Sequence, residues 1–162
     1  MPTISLDELD LRILEQLQSD SSLTNLDLAE KVHASPPTCL RRVRRLIKTG
    51  IIQKQVAILN PTMLGNGLTA IIEITLDRQS AGHIDSFQAK ANTESAILQC
   101  YRVSPGPDFI LIAQLPDMAA YHAMAHRVFT SDVNVRNVRS FFSIQRSKFD
   151  TRIDLPRQSN LR

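Results

Sequence analysis

Ser35-Pro-Pro-Thr-Cys-Leu-Arg-Arg-Val-Arg-Arg-Leu-Ile-Lys48 is the stretch whose reading decides the fold. A serine followed by proline suits a helix start: the hydroxyl can accept from an orphan N–H, and Pro36 stands where a missing N–H is harmless. At about 100° per residue two faces separate. Cys39, Leu40, Val43, Leu46 and Ile47 fall on one arc, with Thr38, Arg41, Arg42, Arg45 and Lys48 opposite and Arg44 on the flank. An apolar back with a guanidinium-dense front fits a DNA-reading helix or an ordinary solvated basic helix. The flanking sequence has to decide.

Upstream, Ser5 with Glu8 fits a capping box, and Ile13, Leu14 and Leu17 follow at core spacing to about Ser19. Asp20-Ser-Ser interrupts that helix. Thr24 with Asp27 starts a second, short one over Asn25–Val32, with Leu28, Ala29 and Val32 inward. His33-Ala34 then joins it tightly to the basic helix. Two helices across such a turn, the second one basic, form a helix-turn-helix. Thr49-Gly50 supplies a C-cap glycine. Ile51–Leu59 reads as a strand, which makes the module a winged variant.

The totals are compatible with this. The chain has 162 residues, 43% of them hydrophobic, enough for one medium domain or two small ones. No apolar run approaches the roughly 18 residues that span a bilayer. The N-terminus has neither a basic n-region nor an apolar h-region, so a cytoplasmic protein without a membrane partner is expected. Cys39 and Cys100 stand outside any CxxC spacing and read as reduced, small hydrophobes. Net charge is only +3, but residues 41–54 hold six basic residues and no acid, whereas residues 7–30 hold seven acids and one arginine. That asymmetry gives one surface a field attractive to polyanions.

Asn60-Pro-Thr-Met-Leu-Gly-Asn-Gly67 is a compositional break. Beyond it Leu68–Leu76, Ala96–Val103, Phe109–Leu115 and Val135–Gln145 are strand-like, and Ala81–Asn92 and Asp117–Phe129 helix-like. The order βαββαβ is the ferredoxin-like split unit. The expected fold is α+β: a winged helix-turn-helix over residues 1–59, a linker over 60–68, a ferredoxin-like domain over 69–150, and a C-terminal tail over 151–162 whose polar, basic end, Leu155–Arg162, is expected to be loosely held. Helices cover one face of such a sheet, and this half is too small to cover the other. Dimerisation through the sheet is the economical solution, and a palindromic DNA site follows from the two-fold.

Leu9-Asp10, Ile13-Leu14, Leu28-Ala29, Ser35-Pro36, Cys39-Leu40-x-Arg42-Val43-Arg44-Arg45-Leu46 and Gly50-Ile51-Ile52 together resemble the Lrp/AsnC (feast/famine) transcription regulators, over nearly the whole chain. Two departures stand out: Ser22 where the family usually has arginine, and His33 for the customary turn glycine, which asks a non-glycine residue to accept positive φ. The resemblance implies a regulator of double-stranded DNA, a homodimer that often assembles into octamers, and a small-molecule module in the second half.

It also places Ser35, Pro37, Thr38, Arg41, Arg42 and Arg45 at the DNA surface. Chemically, Ser35 and the helix N-terminus suit phosphate, Thr38 and Arg41 base edges, and Arg42, Arg45 and Lys48 phosphate again. Thr24 and Asn25 could also bond the backbone. For the effector, the resemblance points to the turn Ser104-Pro-Gly-Pro-Asp108 between the middle strands, which in that family meets its counterpart at the subunit interface and binds an amino acid. Asp108-Phe109 matches the family's aspartate-aromatic pair, whereas Pro105 stands where it has glycine and Gly106 comes one residue late.

An amino acid needs an acceptor for its ammonium and N–H donors for its carboxylate. Asp108 suits the first, the N–H groups of Gly106 and Asp108 the second, while Pro105 and Pro107 donate nothing. Apolar walls from Met118, Phe141 and Phe142, with Ser143 at the edge, favour leucine or methionine over asparagine. Plainer readings stand beside these: Asp108 as a turn former, and Met118 and the phenylalanines as core or dimer packing. His122 and His126, four apart, lack the glutamate of a zinc hydrolase motif, and a solvated helix face is the better reading. Two rivals to a ligand-responsive regulator remain, an architectural DNA-wrapping protein and a small enzyme built on the second half. The enzyme lacks any catalytic constellation.

Overall fold

A computed structural model describes residues 5–155 of the chain. It divides into two compact units. One runs to Ile58 and takes in the residues from Lys148 onward; the other is Leu59–Ser147.

The first unit holds α1 (Glu8–Ser19), α2 (Asn25–Lys31) and α3 (Pro36–Lys48) around Ile13, Leu28, Val32, Cys39 and Leu46. Local chemistry sets each boundary. Asp7, not Ser5, caps α1: its side chain accepts from the Asp10 N–H, and the Asp10 carboxylate accepts from the Asp7 N–H, closing the box two residues later than S-x-x-E suggests. Thr24 caps α2 by accepting from the Asp27 N–H. Ser35 precedes α3 but makes no side-chain cap bond. Pro36 and Pro37 have already removed two of the orphan donors, and its hydroxyl lies 2.8 Å from Thr38 Oγ1.

The turn between α2 and α3 accepts positive φ as expected. His33 has φ 55°, its N–H donates to Glu30 O at 3.1 Å, and the Ala34 N–H reaches Ala29 O at 2.9 Å. That is a Schellman closure with histidine in the left-handed position, where an L side chain costs about 1–2 kcal/mol. His33→Gly is therefore expected to raise the stability of this unit by about 1 kcal/mol, read as a shift of its urea midpoint at unchanged slope.

After α3, Gly50 at φ 76° lets its own N–H and that of Ile52 reach the carbonyls of Ile47 and Leu46. The expected strand Ile51–Leu59 does not form: residues 53–60 belong to no regular element, and Val56, Ile58 and Leu59 are exposed. A strand exists only with a ladder partner, and the chain offers this segment none among the described residues. The start of the tail is tied to α1. Gln18 on α1 donates to Ile153 O at 3.1 Å and accepts from its N–H at 2.8 Å, Arg152 pairs with Glu15, and Leu155 packs on the unit's core. Residues 156–162 of that tail lie outside the described residues.

The second unit is a four-stranded antiparallel sheet of β1 (Leu68–Leu76), β2 (Ile97–Arg102), β3 (Phe109–Leu115) and β4 (Val135–Phe142) in the order β2-β3-β1-β4. α4 (Ala81–Thr93) and α5 (Met118–Ala125), the latter continued by a π-helical turn over His126–Thr130, pack on one face. Strand alternation sends Ala70, Ile72, Ile74 and Leu76 toward the helices, where Phe87 and Phe109 meet at 5.0 Å. On the other face Ile71 lies between Ile112 and Phe141, and Glu73 between Ile110 and Arg139. Nothing in the unit covers that second face: Ile71 and Phe141 are 39% and 45% exposed. Among the described residues no helix is long and apolar enough to cross a membrane.

Candidate DNA interface and effector turn

α3 presents Ser35, Pro37, Arg41, Arg44 and Lys48 to solvent, with Thr38 half-buried beside them. Arg42 and Arg45 do not stand free with them, which corrects their placement on the open face. Both reach α1. Arg42 Nη1 lies 2.5 Å from Asp7 Oδ2 and 3.3 Å from both Asp10 carboxylate oxygens, and Arg45 Nη2 bonds Asp10 Oδ2. Asp10 is wholly buried, Arg42 20% exposed and Arg45 40% exposed.

A buried carboxylate persists only when it is paired, and here two guanidiniums supply the charge. The backbone bond from Asp10 and the Arg42 guanidinium hold the Asp7 carboxyl below its ordinary range, and the hydrogen bond to Asp7 raises Arg42. Leu40 and Ile47, assigned to the apolar arc, are 39% and 46% exposed. Arg44 is the residue that sequence reasoning put on the flank and the structure opens to solvent. Its signal was present, since it repeats three residues after Arg41 and four before Lys48.

Thr24 and Asn25 serve their own fold first. Thr24 Oγ1 donates to Asp27 Oδ2 at 2.6 Å, and Asn25 Nδ2 donates to Pro36 O at 2.9 Å, fixing the first turn of α3 against α2. Cys39 is buried and Cys100 half-buried; both are free thiols that burial pushes up, in keeping with small hydrophobes.

In the sheet unit, the Val103 N–H donates to Asp108 O at 3.1 Å and closes a turn in which Ser104, Pro105 and Gly106 are exposed and Pro107 half-buried. Asp108 is doubly tied to β1: its N–H donates to Ile74 O at 2.8 Å, and its Oδ2 accepts from the Leu76 N–H at 2.7 Å. The Asp108 N–H is therefore not a free donor for a carboxylate, contrary to expectation. Gly106, at φ 118°, keeps its N–H outside these bonds, and one Asp108 oxygen remains.

Within one chain the candidate pocket walls stand apart from this turn. Asp108 lies at the Ile74 end of the ladder, whereas Phe142 pairs with Ala70 and the Ser143 N–H bonds Thr69 O. Four residues of β1 separate the two levels, about 13 Å. Met118 follows Leu115 at that far end. Phe141 and Phe142 also point to opposite faces of β4: Phe141 carries Arg139 at 5.3 Å from its ring centre, while Phe142 meets Tyr121 edge-on at 5.0 Å. Tyr121 Oη in turn lies 2.5 Å from Ser140 Oγ.

A helix-turn-helix with a cationic third helix, joined to an antiparallel α+β unit with an open sheet face, defines a DNA-binding regulator with a sensory half. The comparisons agree. Residues 6–53 match the winged helix-turn-helix DNA-binding family and residues 69–153 the Lrp/AsnC ligand binding domain. An HTH-type transcriptional regulator of Haemophilus influenzae is 36% identical over 93% of this chain and 90% of its own length. The leucine-responsive regulatory protein of Escherichia coli is 34% identical over 94% and 93%.

Among solved structures, an AsnC family transcriptional regulator from Agrobacterium tumefaciens superposes with a TM-score of 0.85 at 32% identity, covering 92% of this chain and 97% of its own. A transcriptional regulator of Neisseria meningitidis, in complex with L-Met, does so at 0.85 and 31%, covering 93% and 97%. The chain belongs to the Lrp/AsnC family of transcriptional regulators. Its relatives are regulators, not enzymes.

Proposed function

We propose that the protein is a homodimeric transcription regulator whose binding to a palindromic DNA site responds to a small apolar amino acid, leucine or methionine. One observation carries this: the candidate effector residues lie at opposite ends of the same sheet, on a unit whose second face is uncovered. A second copy is what such an arrangement lacks. It would cover Ile71, Ile112 and Phe141, and bring the turn of one protomer toward the Met118 and Phe142 end of another. Ser35, Pro37, Thr38, Arg41 and Lys48, with Thr24 and Asn25 behind them, then face DNA twice, at a spacing set by the dimer.

In the turn, the remaining Asp108 oxygen suits an ammonium and the Gly106 N–H a carboxylate. The apolar Met118 side chain suits an aliphatic or thioether chain, and asparagine would leave its amide without partners there. The Escherichia coli relative named for leucine and the Neisseria structure holding L-Met support this choice of class.

Titration calorimetry with leucine, methionine and asparagine tests it. Leucine or methionine is expected to bind at least tenfold more tightly than asparagine, and Asp108→Ala to abolish the heat. Tightest binding of asparagine would reject the apolar pocket. The ligand must also favour one assembly or spacing over another, so footprints with and without it should differ.

A further inference from the structure

The two α3 arginines that face inward are the least expected feature of the DNA-binding unit, and they bear on what touches DNA. Apolar packing alone would seat α3 on the centre of its arc, burying Leu40 and Ile47. Both are instead 39% and 46% exposed, while Arg42, with a full charge to desolvate, is only 20% exposed. The buried Asp10 carboxylate explains the reversal, since it can remain charged inside the unit only by drawing cations to it.

Arg42 and Arg45 converge on it from successive turns, and Asp7, locked by the capping box, holds Arg42 from the other side. The fit is one of charge more than of complete hydrogen bonding, because Arg42 Nε and Arg45 Nε are buried without partners. Relative to the arc of apolar residues, the buried line of α3 is turned by about 50° toward Arg42 at 100° per residue.

That rotation settles which cations are left outside. Arg41, Arg44 and Lys48 are exposed, and none stands within ion-pair distance of a carboxylate among the described residues. They repeat at helical spacing along one stripe about 10 Å long, comparable to the roughly 12 Å width of a major groove.

We propose that Asp10 is a positioning residue of the DNA interface: by holding Arg42 and Arg45 on α1 it turns α3 so that Arg41, Arg44 and Lys48 form the phosphate-facing stripe. Arg44 becomes a DNA contact, and Arg42 and Arg45 leave that set. The inference rests on the DNA-binding reading.

The test is the salt dependence of binding of the full-length chain to one double-stranded oligonucleotide, followed by fluorescence anisotropy across a potassium chloride series. Each neutralised phosphate contributes about 0.9 to the slope of log K against log salt. Arg44→Gln is expected to reduce the slope by about 0.9 per bound copy, as is Arg41→Gln. Arg42→Gln and Arg45→Gln should leave it unchanged while lowering the thermal midpoint. Asp10→Asn, which releases both arginines and lets α3 turn, should leave the slope insensitive to a further Arg44→Gln change, a coupling that a purely structural role would not produce.

The proposal is overturned by an unchanged slope in Arg44→Gln, or by an equal loss in Arg45→Gln. Arg44→Gln is a surface change on a folded protein, so that arm stands even if the Asp10 and Arg42 variants do not fold. If the unaltered chain shows no salt-dependent binding, it is the DNA-binding reading that fails.

Discussion

Ile112→Glu is expected to leave the protein monomeric and to weaken DNA binding by at least a hundredfold. Ile112 sits mid-strand on the uncovered face, opposite Ile71 on β1, with Phe141 beyond it on β4. Its neighbours Leu111 and Ala113 are wholly buried on the helix side, so a longer polar side chain at 112 points away from the core that holds the unit together. The folded protomer should tolerate the change. A dimer through this face would not, because it brings two carboxylates into an apolar centre without a cation for each.

Arg139 is already paired with Glu73 at 3.2 Å. Burying unpaired carboxylates costs several kcal/mol, and a two-fold interface meets that cost twice. With the dimer gone, each helix-turn-helix binds its half-site alone. The advantage of linked binding, about 10²–10⁴ in affinity, is lost with it. Sedimentation equilibrium and anisotropy on a palindromic duplex check the two halves of the expectation. A monomer that keeps full affinity would argue against paired reading, and a dimer that persists would place its interface elsewhere.

What the sequence made legible follows from how local each signal is. The presence and approximate extent of the helices, the Thr24 cap, the His33 conformation and the alternation of the four strands depend on residues within a few positions of one another and emerge in the structure, whereas the α1 cap falls on Asp7 rather than Ser5. The face of α3 was only partly legible. A helical wheel weighs Leu40 and Ile47 as apolar and Arg42 as polar, but their fates are decided by an acid 32 positions earlier on another helix.

Nothing in the spacing of Asp7, Glu8 and Asp10 tells which of them turns inward; as a cluster at a helix start they read equally well as partners of the dipole. The arrangement of the effector candidates was not legible for a related reason. Asp108, Met118, Phe141 and Phe142 were joined by resemblance, and resemblance carries no register. Pairing of Ala70 with Phe142 and of Ile74 with Phe109 sets them apart along β1. The Ile51–Leu59 run has strand composition, yet composition cannot supply the second strand.

Asp10→Leu should cost the DNA-binding unit about 3–5 kcal/mol while leaving the sheet unit untouched. The leucine fills a similar volume but strands two guanidiniums beside it, and breaking a buried ionic cluster from one side is the expensive way to lose it. Arg45 is 40% exposed and can turn partly to water, which favours the lower end of the range, whereas loss of the carboxylate that accepts the Asp7 N–H adds part of a cap.

The protein allows the two units to be followed separately. It has no tryptophan, and its two tyrosines, Tyr101 and Tyr121, both belong to the sheet unit. Tyrosine fluorescence in a urea series therefore reports that unit, while loss of helical circular dichroism ahead of it reports α1–α3. The expected result is a helical transition moved to lower urea with the tyrosine transition in place. A triple variant, Asp10→Leu with Arg42→Met and Arg45→Met, separates charge from packing. If the cluster serves orientation more than stability, removing all three charges together should recover about 2 kcal/mol or more of the loss, because no ion is left buried without a partner. That variant should then fold well and still bind DNA poorly, since nothing would hold Arg41, Arg44 and Lys48 at the angle that the paired charges impose. Recovery of stability together with full affinity would mean that apolar packing alone can aim α3, and that the buried acid is dispensable for reading DNA.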